Sequence, residues 1–223
     1  MENLTLYYHP LSPPCRSSIM VARELKIDLK LKEVDFLNHG EKSESFSKIN
    51  PAQTIPTLVD KDIIICDSHA INIYLVEKYA QNDSLFPSKD LILRTKIIDR
   101  MFFDASFLFP RGFFASVIFH GKAEIPQYKI EGIHRGYKVL EKYLEKTKNI
   151  ASDDLTLADL CLFAWMESIV QVIPVSPNVY PKLTLWLKQM RKLPYYREAN
   201  QAGADYHIKV FNEALARNIK NKL

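Results

Sequence analysis

The sequence predicts a small α/β domain followed by an all-α domain. Short strand and helix patterns alternate over the first 80 residues, and strand patterns stop after Pro87. Long segments rich in leucine, lysine and glutamate fill the remainder, a composition that favours helices. The chain has 223 residues, which is enough for two small domains. We therefore expect an α/β domain over residues 1–81 and a helical domain over residues 90–223, joined by a polar linker.

The first half has the order β-α-β-α-β-β-α. Short β-prone apolar runs indicate the strands, and the last two runs flank Asp60-Lys61-Asp62 in the pattern of a hairpin. Capping residues begin the first and last helices, and Asn50-Pro51 ends the short one between them. The segments are strand 4–8, helix 12–27, strand 29–36, helix 45–49, strands 57–59 and 63–65, and helix 67–79. The first β-α-β crossover predicts a parallel pair of strands.

The second half consists of helical segments. They cover residues 90–119, 126–147, 156–171, 181–192 and 194–217. Pro110-Arg111-Gly112 predicts a kink or break in the first of them. Thr156-Leu-Ala-Asp159 has the form of a capping box, with aspartate in place of the usual glutamate. We therefore interpret Asp159 as a helix-capping residue and not as an acid catalyst.

Composition and charge exclude several classes of protein. Hydrophobic residues make up 47% and charged residues 25%, the balance of an ordinary globular protein. No uninterrupted apolar run approaches the ~20 residues of a membrane span, and the start of the chain lacks an apolar signal core. Three scattered cysteines do not make a disulfide framework or a four-ligand zinc site. We expect a cytoplasmic protein with no metal.

The net charge of +4 is concentrated in the second half. Residues 1–80 hold 9 basic and 11 acidic residues, whereas residues 81–223 hold 21 and 15. A basic half can attract anionic ligands at long range. However, the sequence lacks the dense Lys/Arg block with interleaved aromatics that marks nucleic-acid binding, and a solvated helical surface explains the excess at least as well. We expect no nucleic acid and no membrane among its partners.

The order of the first half matches the thioredoxin-like layout, in which chemistry occurs where the first strand turns into the first helix. Here that turn is Ser12-Pro13-Pro14-Cys15. Ser12 can act as an ordinary N-cap before the prolines, or its hydroxyl can donate to a thiol supplied by a ligand. A thiol that titrates near ~8.5 needs a drop of roughly 1.5–2 units to be mostly ionised at neutral pH. One hydroxyl-to-thiolate hydrogen bond of ~1.5–3 kcal/mol, aided by the helix N-terminus, supplies that drop.

Two further patterns fall at turns that we expect near the first. Ile55-Pro56 precedes a strand, and a cis bond there would leave the Ile55 backbone free to pair with an extended peptide. Asp67-Ser68-His69 begins a helix, whose free N–H groups suit a carboxylate, although Asp67 or Ser68 can also merely cap it. Together the three patterns predict a slot for a short, acidic, thiol-bearing peptide.

Six motifs in order resemble a known family over nearly the whole chain. They are Leu11-Ser-Pro-Pro-Cys-Arg16, Asn50-Pro-x-x-Thr-Ile-Pro56, Asp67-Ser-His-Ala-Ile71 with Tyr74-Leu-Val-x-Lys-Tyr79, Ser84-Leu-Phe-Pro87, Leu155-Thr-Leu-Ala-Asp159, and Leu193-Pro-Tyr-Tyr-x-x-Ala-Asn200. The sequence resembles the glutathione transferases, specifically the insect delta/epsilon classes, and is epsilon-like. The resemblance implies the glutathione transferase fold, glutathione as cosubstrate, a helical domain that binds hydrophobic electrophiles such as xenobiotics or lipid-peroxidation products, and a homodimer.

The resemblance also assigns roles to residues. Ser12 matches the catalytic serine that stabilises the glutathione thiolate. The glutathione-binding residues by the same resemblance are Gln53, Thr54, Ile55, Pro56, Asp67, Ser68 and His69. Two of them depart from the family pattern, because Gln53 replaces the usual histidine and Asp67 replaces a frequent glutamate. His39 from the preceding loop is therefore also predicted to bind glutathione, and it or Lys42 would supply the cation that faces the glycyl carboxylate.

The hydrophobic substrate pocket is expected along an aromatic segment. Seven of the twelve phenylalanines lie within residues 102–119, more than one buried helix face needs, which suggests a concave aromatic wall. We expect core or dimer packing for Phe102, Phe103 and Phe109. The predicted pocket residues are Leu11, Leu37, Phe107, Arg111, Phe114 and Phe119.

Three functions follow from these patterns. The first is glutathione conjugation. The second is a glutathione-dependent or non-catalytic protein that binds hydrophobic ligands, which the departures at Gln53 and Asp67 favour. The third is a thiol oxidoreductase that uses Cys15, which is disfavoured because Cys15 has the buried, second position of the C-x-x-C spacing.

Overall fold

The first half of the molecule is built on a four-stranded sheet. The structure is a computed structural model that describes residues 4–112 and 114–222. The strands of the sheet have the order β2-β1-β3-β4. They are β1 (Leu4–Tyr8), β2 (Lys30–Glu33), β3 (Thr57–Asp60) and β4 (Ile63–Cys66). β1 pairs with β2 in parallel and with β3 in antiparallel orientation, so that Leu6 lies opposite both Leu31 and Leu58. β3 pairs with β4 in antiparallel orientation, with Asp60 opposite Ile63. The predicted crossover and hairpin are therefore confirmed.

Three helices accompany the sheet in the described part of this half. They are α1 (Pro13–Glu24), α2 (Glu44–Ser47) and α3 (Ser68–Tyr79). α1 begins at Ser12 because serine caps its free N–H groups and Pro13 needs no hydrogen bond in the first turn. Its Met20 and Val21 are fully buried, and the helix packs against α3 on one side and against the second half on the other. α1 is thus the element that joins the two halves.

The second half is helical throughout its described residues. Its helices are α4 (Leu91–Phe103), α5 (Phe114–Ile118), α6 (Gln127–Leu144), α7 (Leu157–Ile169), α8 (Pro181–Met190) and α9 (Ala202–Lys222). Every residue of α7 is buried, and it packs against α1, α3, α4 and α9. An almost wholly apolar helix of this kind belongs in the interior. The predicted two-part architecture is confirmed, with helix ends that differ by a few residues.

The predicted break in the first long helix is larger than expected. After α4 the chain forms a π-helical turn over Asp104–Leu108 and a 3₁₀ turn over Phe109–Arg111. Pro110 lacks the N–H that would bond to the carbonyl four residues earlier, so a regular helix cannot continue through it. Gly112 then passes so close to Trp165 that an added Cβ would lie 2.5 Å from its indole ring. Phe113 lies outside the described residues.

The second predicted strand is shorter than expected. The pattern over residues 29–36 predicts a strand of eight residues, but β2 ends at Glu33. A 3₁₀ turn over Phe36–Asn38 follows, and His39 then takes a left-handed backbone conformation with φ of 59°. β2 is exposed along its whole length, so no buried face extends it. The turn brings residues 36–39 towards the helical half.

Candidate active site

A cavity of about 350 Å³ lies where three turns of the α/β half meet the helical half. The α/β half contributes Pro13 and Pro14, Ala52, Thr54, Ile55 and Pro56, and Cys66, Asp67, Ser68 and His69 to its wall. The helical half contributes Asp104, Ala105, Phe109, Cys161 and Trp165. Six of the eight residues predicted to bind glutathione therefore line one space. The exceptions are Gln53 and His39, and the predicted catalytic residue Ser12 lies beside the lining prolines but is not itself part of the cavity wall.

The first turn connects β1 to α1 and carries Ser12. The residue is 7% exposed, and its backbone N–H donates to the His9 carbonyl at 3.0 Å. Its Oγ accepts a long hydrogen bond of 3.5 Å from the Cys15 N–H, so Ser12 does cap α1. A hydroxyl that accepts one bond can still donate another. Capping and donation to a ligand are thus compatible at this position.

Cys15 lies in the same turn but is chemically inert. Its side chain is completely buried. Burial raises the pKa of the thiol to about 12, although the hydrogen bonds at Ser12 and His9 and the Arg16 charge act in the opposite direction. A buried thiol that stays protonated is a poor nucleophile. The oxidoreductase interpretation loses its proposed nucleophile here.

The second turn precedes β3 and is built around Asn50. This buried side chain donates to the Thr54 carbonyl and to Thr57 Oγ1, both at 2.9 Å, and accepts from the Ala52 N–H at 2.9 Å. The Ile55–Pro56 peptide bond is cis. The Asn50 amide thus holds both ends of the turn, and it fixes the position of Thr54 and Ile55 at the cavity wall.

Gln53 and Lys42 are tied to each other beside this turn. Lys42 Nζ donates to the Gln53 carbonyl at 3.0 Å, and Gln53 Nε2 donates to the Lys42 carbonyl at 3.3 Å. His39 has its Nδ1 3.6 Å from Glu41 Oε1 and its ring 5.6 Å from that of Phe119. Lys42 is therefore a cation in direct contact with the Gln53 turn, whereas His39 faces an acid and an aromatic ring.

The third turn begins α3. Asp67 has φ of 73°, and its Oδ1 accepts from the N–H groups of His69 at 2.8 Å and Ala70 at 3.3 Å. Ser68 is buried, with its Oγ 3.4 Å from His69 Nδ1. Asp67 acts as the helix cap, and Ser68 lines the cavity next to it. A helix N-terminus with a hydroxyl beside it is a site that favours anions.

His69 contacts Asp104 across the boundary between the two halves. Nε2 of His69 lies 3.2 Å from Oδ2 of Asp104, close enough for an ion pair but not aligned as a hydrogen bond. Burial lowers the pKa of His69, but Asp104 and Asp67 outweigh it and the pKa is raised overall. Burial raises the pKa of Asp104, and His69 offsets this only in part. Among the described residues, Oδ1 of Asp104 has no hydrogen-bond partner.

The predicted pocket residues are spread over four places. Phe107 stacks on Phe103 at 5.0 Å, and the Arg111 guanidinium lies 3.5 Å above the Phe107 ring. Phe114 is buried among Trp165, His207 and Phe211. Phe119 meets Phe36 edge to face at 5.4 Å, next to half-buried Leu37, and Leu11 is buried in the first turn. None of these six residues lines the cavity described above.

Sequence reasoning did not assign Asp104, Phe109 or Trp165 to the cavity that they line. Asp104 was hidden in an aromatic segment, where a single acid among phenylalanines was the available signal. Trp165 was expected in the core, and it is buried, with 6% of its surface exposed. It also lines the cavity, and the centroid of the Phe109 ring lies 5.3 Å from that of its indole. Among the residues that the structure describes, no group of three or more His, Cys, Asp or Glu could hold a metal ion.

Comparison with known proteins gives consistent matches. The family model described as the glutathione S-transferase N-terminal domain matches residues 6–83, and that described as its C-terminal domain matches residues 97–194. Glutathione S-transferase 1 of Manduca sexta is 39% identical over 206 residues, which cover 91% of this chain and 94% of that protein.

Solved structures agree over almost the whole chain. An epsilon-class glutathione S-transferase from the housefly, Musca domestica, has a TM-score of 0.92 and 37% identity, covering 95% of this chain and 98% of that one. A glutathione transferase homologue from Drosophila mojavensis with bound glutathione has a TM-score of 0.92 and 35% identity, covering 96% and 98%. Both the fold and the order of its elements are therefore shared with these proteins.

Proposed function

Because this chain belongs to the glutathione S-transferase family, we propose that it conjugates the thiolate of glutathione to hydrophobic electrophiles, with Ser12 stabilising that thiolate. One observation carries the proposal. The cis turn at Ile55–Pro56, the start of α3 and the prolines that follow Ser12 all border the same cavity. A non-catalytic ligand carrier is not favoured, since the relatives are named transferases.

The charges along the cavity fit the γ-glutamyl end of glutathione. That end carries one carboxylate and one ammonium group. The start of α3, with the Ser68 hydroxyl and the partial positive charge of the helix N-terminus, suits the carboxylate. The ammonium group suits Asp104, whose Oδ1 has no partner among the described residues, with exposed Asp67 nearby.

The rest of the peptide follows from the neighbouring turn. The backbone of Ile55 lies at the cavity wall before β3, where an extended cysteinyl residue can pair with it. The glycyl carboxylate then points towards the Gln53 turn. Lys42, whose ammonium group already bonds to the Gln53 carbonyl, supplies a positive charge there. This arrangement compensates only in part for the missing histidine, because the Lys42 ammonium group is already bonded to the Gln53 carbonyl.

Catalysis requires only a thiolate and an electrophile held together. The Ser12 hydroxyl donates a hydrogen bond to the sulfur and lowers the pKa of the thiol by stabilising its anion. The thiolate attacks the electrophilic carbon, a C–S bond forms, and the displaced electron pair leaves with the leaving group or is protonated by water. Rate enhancement comes from the ionised nucleophile and from proximity. No covalent enzyme intermediate is needed.

The outer face of α4 supports a homodimer. Leu91, Ile92 and Phe102 are 76%, 72% and 66% exposed, which is unusual for large apolar residues on one helix. Phe102 also borders a second cavity of about 280 Å³ next to His69. A second copy of the chain would cover this apolar surface.

By length and composition alone, Leu91–Ile118 could also cross a membrane. However, α4 packs against α7, and the π-helical and 3₁₀ turns interrupt the segment. We assign its exposed residues to dimer contact and the protein to the cytoplasm.

The test is the conjugation rate of Ser12→Ala with a chromogenic electrophile. We expect turnover to fall by one to two orders of magnitude, because one charge-assisted hydrogen bond of ~1.5–3 kcal/mol is lost. The fold should survive, since losing the cap costs about 1 kcal/mol. Cys15→Ala is the matched control and should leave conjugation nearly unchanged. If the two variants exchange these phenotypes, Cys15 chemistry replaces the proposal.

A further inference from the structure

His9 holds both backbone N–H groups of the turn that carries Ser12. Its Nδ1 accepts from the Leu11 N–H at 3.2 Å, and its carbonyl accepts from the Ser12 N–H at 3.0 Å. The first of these bonds depends on the imidazole. We propose that His9 is a positioning residue, which fixes the Leu11–Ser12 turn so that the Ser12 hydroxyl is aimed at the thiolate. This inference rests on the role proposed for Ser12.

The imidazole is itself held on several sides. The residue is 4% exposed, and its ring contacts those of Phe36 and Tyr206, each at 6.0 Å between centroids. Phe36 belongs to the turn after β2, and Tyr206 to α9 of the helical half. A buried ring packed between two aromatic side chains cannot easily rotate away from Leu11. The turn is therefore tied to both halves through one side chain.

The hydrogen bond fixes the protonation state of the ring. Nδ1 must be unprotonated to accept from Leu11, so the proton is on Nε2, which lies 3.7 Å from Glu33 Oε1. Burial lowers the pKa of His9, although Glu33 and Asp35 oppose the effect. Glu33 on β2, Asp35 in the following loop and the Tyr206 phenol on α9 are the charged or titratable groups that face it.

Protonation of His9 at Nδ1 would therefore break its hydrogen bond with the Leu11 N–H. A doubly protonated ring has N–H groups on both nitrogens and cannot accept from Leu11. The Ser12 N–H would keep its bond to the His9 carbonyl, but the preceding residue would be released. We expect the thiolate to be less stabilised at acid pH for this reason, in addition to protonation of the thiol itself.

Two variants separate packing from hydrogen bonding. His9→Phe keeps an aromatic ring between Phe36 and Tyr206 but removes the acceptor. His9→Asn supplies a side-chain oxygen that can accept from the N–H two residues later, and it cannot be protonated. We expect His9→Phe to raise the pKa of bound glutathione by about one pH unit and to lower kcat about fivefold to tenfold, with little change in KM for glutathione.

The measurements are the ultraviolet absorbance of the bound thiolate against pH, and kcat and KM with a chromogenic electrophile. His9→Asn should restore the thiol pKa to within a few tenths of a unit and should lose less activity than the unmodified protein on the acid limb of the pH profile. If a thermal melt shows that His9→Phe is unfolded, the test is the comparison of the acid limbs of His9→Asn and the unmodified protein. An acid limb identical to that of the unmodified protein would overturn the proposal.

A double-mutant cycle with Ser12→Ala completes the test. If His9 acts through Ser12, adding His9→Phe to Ser12→Ala should change kcat less than about twofold. Multiplicative losses would mean that His9 acts independently of Ser12, and an unchanged thiol pKa in His9→Phe would mean that it does not act at all. Either result overturns the inference but leaves the proposed function intact. An unchanged Ser12→Ala variant would instead refute the role of Ser12 and, with it, both proposals.

Discussion

Two buried aspartates have opposite surroundings, one inside the helical half and one at its boundary with the sheet. Asp159 is 0% exposed, and its Oδ1 accepts from the Ile150 N–H and from Trp186 Nε1, both at 2.9 Å. Its Oδ2 accepts from the N–H and the hydroxyl of Thr156 at 2.9 and 2.8 Å. Burial raises the pKa of Asp159, and these four bonds oppose the effect. Each carboxylate oxygen of Asp159 therefore accepts two hydrogen bonds from the protein.

Asp104 is almost as buried, at 5% exposure, but has few partners. His69 approaches one oxygen at 3.2 Å, and the other has no hydrogen-bond partner within residues 4–112 and 114–222. A buried carboxylate without partners is costly, so such groups persist where they bind something. The closed network at Asp159 therefore stabilises the fold, whereas the unpartnered oxygen of Asp104 fits the ligand-binding role that we propose for it.

Removing the closed network should have the largest effect on folding. We expect Asp159→Ala to lower the free energy of unfolding by about 3–5 kcal/mol, because it leaves the Ile150 and Thr156 N–H groups and the Trp186 indole unpaired in the core. Urea denaturation measures the loss. Asp104→Asn is the matched control and should cost less than about 1 kcal/mol, since it removes a buried charge with few partners. Equal losses would remove the distinction between the two aspartates.

The same Asp104→Asn variant should have its main effect on binding. Loss of a charged hydrogen bond to the γ-glutamyl ammonium group, worth about 1.5–3 kcal/mol, should raise KM for glutathione about 10- to 100-fold. Saturating turnover should change little, because the contact is equally present in the ground and transition states. Steady-state kinetics with varied glutathione measures both. A fall in kcat with normal KM would point to a role in the chemical step instead.

The pKa of His69 reports on the same pair. Asp104 is the main group that raises it against burial, so in Asp104→Asn burial should dominate and the pKa should fall. In the unmodified protein the stabilisation from this contact is complete below the ordinary value near 6.5 and is lost as pH rises through the raised pKa. Titration of the imidazole by NMR measures the change. An unaltered pKa would mean that Asp67 is the controlling acid.

The smallest effect is expected at Gln53, which lies at the other end of the slot. Gln53→His should lower KM for glutathione about two- to tenfold at pH 6, because a charged hydrogen bond exceeds a neutral one by about 0.5–1.5 kcal/mol. The gain should shrink towards pH 8 as the imidazole loses its proton. An unchanged KM at pH 6 would mean that Lys42 or His39 already supplies the cation.

Local patterns were sufficient to predict the element order and the caps. Strand and helix periodicities, the serine before two prolines, and Asp67-Ser68 before an apolar helix all act over a few residues, where backbone sterics and capping hydrogen bonds decide the outcome. Asp159 belongs to the same class, because half of its network lies within the Thr156–Asp159 box. Its bond to Trp186, 27 residues away, could not be predicted from that pattern.

The tertiary structure alone decided which side chains face the cavity. Asp104 meets His69 only because the fold brings the start of α3 next to the π-helical turn across the domain boundary. A π-helical turn also changes the phase of the residues after it, and one residue corresponds to about 100° around a helix. Phe109 lines the cavity, whereas Phe107, two residues earlier, packs against Phe103 and Arg111. Helical spacing predicts that one face is apolar, but the packing of distant segments fixes where that face points.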